Sequence, residues 1–256
     1  MTALRPLLLL LLLLLAPLTV GAAKPKLVPD VSQNRIEIRD HFTGAELLLF
    51  GAILYPGGRA PAEDAEIAVV VKGPVQPLVL REKQKVAGIW MNVESARFRS
   101  APSFYAVVAS EPLSKLVKDR TAAIYELGLQ NLQLSPASGR SPDVQRRFEA
   151  GLIDLMQRRQ LYFEDSGGVD IREGVLYRAR VSIPAQVPVG DYTAETFLIQ
   201  NGRVVAAAVR EIHVEKLGFE RFVATAADRW SLAYGVVAVI LSLFLGWAGS
   251  ALFRRS

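Results

Sequence analysis

The densest chemistry in the sequence lies between residues 90 and 105, where Trp90, Asn92, Arg97, Arg99 and Tyr105 fall close together. An aromatic, an amide and two guanidinium groups suit recognition of an anion or of a partner surface, because arginine meets anions through a planar fork. On an extended chain Trp90, Asn92 and Glu94 share one face, and Ile89, Met91 and Val93 the other. The second set reads as core. Phe104 is expected to turn inward and Tyr105 to join Trp90. A plainer alternative packs Trp90 and Tyr105 beneath a helical segment and leaves the arginines in solvent.

Catalytic groups are sparse. A hydrolase needs a nucleophile and a base, and the histidines are His41 and His213 alone. His41 follows Asp40 at a strand end, and His213 sits in an alternating strand. Both read as structural or solvated. The chain has no cysteine, so thiolate metal sites and disulfides are excluded. No HExxH spacing, phosphate loop or dinucleotide fingerprint occurs. The carboxylate pairs Glu63–Asp64 and Glu164–Asp165 fall at expected loops and helix ends. The expectation is no catalytic residue, no metal site and no cofactor.

The elements that must position these residues are mostly strands. Residues 24–30 read as a linker. Strands are expected at 34–40, 45–55, 66–73, 77–82, 88–94 and 103–110, with turns at Gly-Pro, Gly and Ala-Pro. The continuous apolar run at 45–55 suggests a central buried strand. Helical spacing follows over Pro112–Leu127 and, more regularly, over Ser141–Asp165. There Ser141 suits the cap, Pro142 the first turn, and Val144, Phe148, Leu152, Leu155 and Met156 one face. Arg146, Arg147, Arg158 and Arg159 fall on other faces and could meet anionic headgroups or simply water. Strands return at 174–184, 190–200 and 203–216, the last two joined by Asn201-Gly202, a strong hairpin signal. Gly190-Asp191-Tyr192 resembles the tyrosine-corner region of immunoglobulin-like sandwiches. The expected fold is mostly β: one immunoglobulin-like antiparallel β-sandwich with a helical insertion at about 112–165, and one C-terminal transmembrane helix.

Two apolar segments place that body. Leu7–Leu15 is an unbroken leucine run after Arg5, followed by Pro17 and a Gly21-Ala22-Ala23 exit. It reads as a signal peptide over 1–23, with an uncleaved anchor as the alternative. Trp230–Phe253 carries no charge and ends at Arg254 and Arg255. Its length covers a roughly 30 Å hydrocarbon core, and it reads as a stop-transfer helix. The expectation is a single-span protein with residues 24–220 exported, a span at 230–253 and a cytoplasmic tail at 254–256. Ala238, Ser242, Gly246 and Ser250 recur every four residues, a spacing that lets another helix approach closely. A formal charge of +5 favours anionic surfaces, and export argues against nucleic acid as a partner.

The leading signal, the "GIWMN…F…PSFYAVVASEPL" core, the later "P.G.Y.…FL…G" segment and the single C-terminal span resemble the Alph_Pro_TM family of alphaproteobacterial transmembrane proteins. The resemblance covers nearly the whole chain. It implies an inner-membrane protein with no assigned activity and no catalytic residues to carry over. It also associates the chain with permeases of the TauE/SafE, sulfite-exporter type. The functional expectation is a non-enzymatic accessory or assembly partner of such a transporter. The partners expected are the lipid bilayer and, through the span, a multi-pass permease or a second copy. The alternatives are a free-standing anchored module that binds or senses a periplasmic ligand, and an enzyme of unknown type.

Overall fold

The computed structural model describes residues 24–38, 43–58, 65–137, 141–216 and 227–253. The expected signal peptide, His41, Asp40, the Glu63–Asp64 pair and the tail at 254–256 lie outside the described residues. The body is mostly β, as expected, and its pairing is mixed. Among the described residues, thirteen strands form three sheets.

The first sheet has the order β1-β3-β11-β10, from β1 (Lys26–Val31), β3 (Gly44–Leu54), β10 (Val169–Arg172) and β11 (Leu176–Pro184). The second has the order β2-β13-β12-β4-β7-β9, from β2 (Arg35–Ile38), β4 (Glu66–Lys72), β7 (Tyr105–Ala109), β9 (Tyr162–Ser166), β12 (Gly190–Gln200) and β13 (Arg203–Lys216). Two of its pairs are parallel, β2 with β13 and β7 with β9. The inner faces close on a core that includes Leu47, Leu49, Ile53, Tyr177, Val181, Ile67, Val69 and Leu198. Arg210 Nε, on β13, donates to Pro29 O, on β1, at 2.8 Å and ties the two sheets at one side.

The stretch expected to be a linker is the strand β1. Its Leu27 and Pro29 face the core and Lys26 and Val28 face out, so alternation rather than a long apolar run makes it a strand. β3 sits between β1 and β11, yet one of its faces is open. The strands buried on both faces are β4 and β7, where Ile67–Val71 and Tyr105–Ala109 are fully covered. Sheet one covers one side of them, and the segment after β7 covers the other.

That segment is the helical insertion. The expected helix over 112–127 is broken into α1 (Leu113–Leu116) and α2 (Asp119–Ile124), because Val117 and Lys118 are extended. The second helix, α3 (Pro142–Arg158), has Pro142 in its first turn and buries Phe148, Leu152 and Met156. Ser141 stands at its N-cap without a side-chain hydrogen bond. The helix ends at Arg158, not Asp165, because Gln160 turns to φ 57° and Tyr162–Ser166 pairs with β7 as a parallel edge strand. The Asn201-Gly202 turn is present with both residues at positive φ, as a two-residue hairpin requires. The C-terminal helix α4 (Ser231–Phe253) is uncovered by the body, and its window Ser231–Ala248 is long and apolar enough to cross a membrane.

Candidate functional site

The third sheet carries most of the residues singled out by their chemistry. It consists of β5 (Val75–Val86), β6 (Ile89–Pro102) and the short β8 (Ser135–Pro136). The expected turns at Gly73-Pro74 and Ala101-Pro102 are not turns. The β4–β7 ladder reaches Lys72 opposite Tyr105, continues through Gly73 N to Phe104 O at 2.8 Å and Ser103 N to Pro74 O at 2.9 Å, and enters the β5–β6 ladder at Val75 opposite Pro102. One two-stranded ribbon thus starts in the core and leaves the sandwich. A prolyl ring removes a donor, and the carbonyl of each proline is used instead: Pro74 O by Ser103 N, and Pro102 O by the Tyr162 hydroxyl at 2.6 Å. The ribbon closes at Ala87 and Gly88, both at positive φ.

Only the root half of the ribbon is covered. Leu78, Leu80, Ala96 and Phe98 face the helical insertion and pack on the core. Arg147 of α3 reaches Glu82 at 3.1 Å and Glu94 at 2.6 Å. Those two carboxylates stand directly opposite each other, and the guanidinium between them offsets their repulsion. Beyond this clamp no described residue covers either face. Trp90 is 67% exposed and Ile89 71% exposed, and Met91, Val93 and Val86 are exposed too. The expectation that Ile89, Met91 and Val93 are core is therefore corrected: a two-stranded ribbon outside the sandwich has no inner face. The helical insertion also stops short of Trp90 and does not bury it.

Arg97 and Arg99 are exposed on the face opposite α3, on either side of buried Phe98. Arg99 Nη2 lies 3.5 Å from Pro136 O. Asn92 is exposed on that same face, across from Lys83. Tyr105 is not part of this group. It is wholly buried at the ribbon's root, and its hydroxyl donates to Glu126 O and accepts from Gly128 N. Burial pushes that hydroxyl's pKa far up. Fourteen residues along the chain, most of them in β6, separate it from Trp90, so its inclusion as a docking residue is corrected to a core position. The local alternation could have shown this, since Tyr105 opens the unbroken apolar run Tyr-Ala-Val-Val-Ala.

The remaining titratable candidates have structural partners. Glu164 accepts from Leu129 N and holds the insertion to β9. Lys72 Nζ lies 3.0 Å from Glu126 and 3.7 Å from Glu195. His213 Nδ1 is 2.6 Å from Asp191 Oδ1 on the neighbouring strand, exposed to water. Among the described residues, no group of three or more His, Asp or Glu side chains could hold a metal ion. In the span, Ala238, Ser242 and Gly246 are exposed, and Ser242 Oγ donates to Ala238 O at 2.8 Å, which satisfies it within the helix. The side chain of Ser250 lies outside the described residues.

One feature on the open face of sheet one was not foreseen. A groove of about 390 Å³ is lined by Val28, Phe50, Ala52 and Leu176 with Asp170, Arg172 and Arg178 at its rim. Arg178 sits 2.7 Å from Asp170 and holds its carboxyl below the usual range. The groove needs β1, β3, β10 and β11 side by side, which no local pattern announces.

No curated protein matches the chain at a significant level. Among solved structures, the sporulation control protein Spo0M of Bacillus subtilis is similar at 10% identity with a TM-score of 0.28, over 81% of this chain and 56% of that one. The chain thus spans little more than half of that protein, and a likeness of this size carries no argument about fold or function. The informative match joins the β body to the uncovered apolar helix: from residue 26 to residue 255 the chain fits, and so belongs to, the family described as "Putative transmembrane protein (Alph_Pro_TM)".

Proposed function

We propose that this protein is a non-enzymatic accessory or assembly partner of an inner-membrane transporter, with its body in the periplasm and α4 as its one span. A permease of the TauE/SafE type is the specific candidate. The observation that carries the reading is the state of α4. A helix of 23 residues stands apart from the body with every described side chain of its membrane window uncovered. In lipid, such helices associate through close packing at small residues rather than through the hydrophobic effect. Ala238, Ser242 and Gly246 offer that approach, with open space beside Gly246. The topology rests on the leading signal and the Arg254–Arg255 tail. The body is read as immunoglobulin-like, supported by Tyr192, whose hydroxyl donates to Pro188 O at 2.7 Å in the manner of a tyrosine corner.

The test is gentle-detergent purification of the intact tagged chain with mass spectrometry of what accompanies it. A multi-pass permease is expected in the wild type and lost in a Ser242→Leu, Gly246→Leu variant. Recovery of the chain alone from both samples would sink the reading. The sheet-one groove supports a second one, an anchored module that binds a periplasmic ligand. That reading expects full function when α4 is exchanged for an unrelated apolar helix.

A further inference from the structure

The ribbon has a surface that neither fold nor proposed function uses. On its open face, Arg81, Lys83, Lys85, Arg97 and Arg99 point away from α3 together with Trp90. Glu82 and Glu94 point the other way and are engaged by Arg147. This face therefore presents five cations and no carboxylate. Beyond it the ribbon's tip carries uncovered apolar side chains on both faces, Trp90 on this one and Val86, Ile89 and Met91 on the other, with Val93 at the irregularity between them. A basic face leading to a tip of tryptophan and aliphatic side chains is the composition that settles at the headgroup boundary of a bilayer.

The topology brings this tip near a bilayer. Lys72 on β4 lies level with Thr193 on β12 and Glu211 on β13. The ribbon departs just past Lys72, and the chain leaves β13 just past the same level, at Lys216. Pro74 at the ribbon's root sits against Gly190, where an added Cβ would meet the proline ring at 2.9 Å, and Gly190 pairs with Val214. The ribbon and the connection to α4 thus leave from one end of one sheet. From Lys216 to Ser231 is fifteen residues, which span at most about 50 Å. The twelve residues of β5 reach about 40 Å. The two reaches are comparable, so the tip and the span can meet one membrane.

We infer that the β5–β6 ribbon is a membrane-interface arm. Its tip seats at the boundary of headgroups and acyl chains in the bilayer that holds α4, and its five cations face anionic lipid phosphates. The arm gives the body a second attachment, which sets its orientation over the membrane. This does not depend on a permease partner. A protein strand added to the free edge of β5 is the competing occupant, and Pro77, Lys83 and Lys85 on that edge work against it.

The chain has no cysteine, so Ile89→Cys gives the full-length protein one labelling site. With an environment-sensitive nitrobenzoxadiazole label there, the protein is placed in nanodiscs of phosphatidylcholine alone or with added phosphatidylglycerol. The expected result is blue-shifted emission, quenched by spin-labelled lipid and shielded from iodide, in the anionic discs and much less in the neutral ones. A Lys83→Glu, Lys85→Glu, Arg97→Glu variant should lower the inserted fraction at least about tenfold, with an unchanged melting temperature because these side chains are exposed. A label that stays open to iodide in anionic discs overturns the inference. So does equal insertion in both lipids, and so does shielding that requires added membrane proteins, which would assign the ribbon to a protein partner.

Discussion

Two buried tyrosines show how much a single hydroxyl depends on its neighbours. Tyr105 Oη serves Glu126 O and Gly128 N, so Tyr105→Phe leaves a buried amide without its acceptor. The expected loss is about 1–3 kcal/mol by urea unfolding. Tyr177 is also buried, but among the described residues its hydroxyl finds no partner of good hydrogen-bond geometry, with Thr196 only weakly placed for it. Tyr177→Phe removes a poorly met polar atom and is expected to be neutral or to stabilise by up to about 1 kcal/mol in the same assay. Burial also pushes Tyr192 up to about 12 from an ordinary value of 10.0, and it raises Tyr105 and Tyr162 as well. Above pH 10 the unfolded chain has lost protons that the folded chain keeps. Stability from this source is therefore present below pH 10 and falls as pH rises toward 12, which unfolding midpoints across that range will show. The aromatic types were visible in the sequence. The unbroken apolar run that follows Tyr105 marks it as buried, but the exposure of Trp90 was not legible, because alternation reads the same whether or not something covers that part of the ribbon.

At the scale of elements, the ribbon depends on a tight root and a clamp. Gly73 has no space for a Cβ: one placed there would lie 2.7 Å from Ser103 Oγ and 2.9 Å from the Tyr192 ring. Gly73→Val should cost about 2 kcal/mol by displacing the root, read as a lowered midpoint in chemical denaturation. The clamp is weaker, since Arg147 is half-exposed and such pairs contribute little to global stability. Arg147→Ala is expected to change the global midpoint by no more than about 0.5 kcal/mol. It leaves Glu82 and Glu94 facing each other uncompensated, so hydrogen exchange should quicken over residues 83–93 while the core stays protected. Unchanged exchange there would show that α3 does not hold the outer ribbon. Alternation made β5 and β6 legible as strands, and Asn201-Gly202 made the β12–β13 hairpin legible. The prolines at 74 and 102 misled, because a proline can sit inside a ladder when its carbonyl still finds a donor, as Pro74 O does in Ser103 N and Pro102 O in the Tyr162 hydroxyl.

The whole molecule is a β body that owes nothing to its span. The described membrane window of α4 is 0% buried, and no described side chain of α4 enters the core. A chain ending at residue 220 should fold with the stability of the intact body to within about 0.5 kcal/mol, by circular dichroism in denaturant. A collapse on truncation would mean that the span supports the fold.

The sequence alone determined the mostly β body, the Asn201-Gly202 hairpin, the α3 core face and the apolar span, because each is a local periodicity or a run of uniform hydropathy. It also carried the family resemblance that the match over residues 26–255 bears out. Only the tertiary structure decided that residues 66–109 form one ribbon, with its root in the core and its tip in water. It also decided that β9 pairs in parallel with β7, and that a groove opens on sheet one. These outcomes depend on which distant surfaces come together, and alternation along a strand is the same whether its faces meet a core or a solvent.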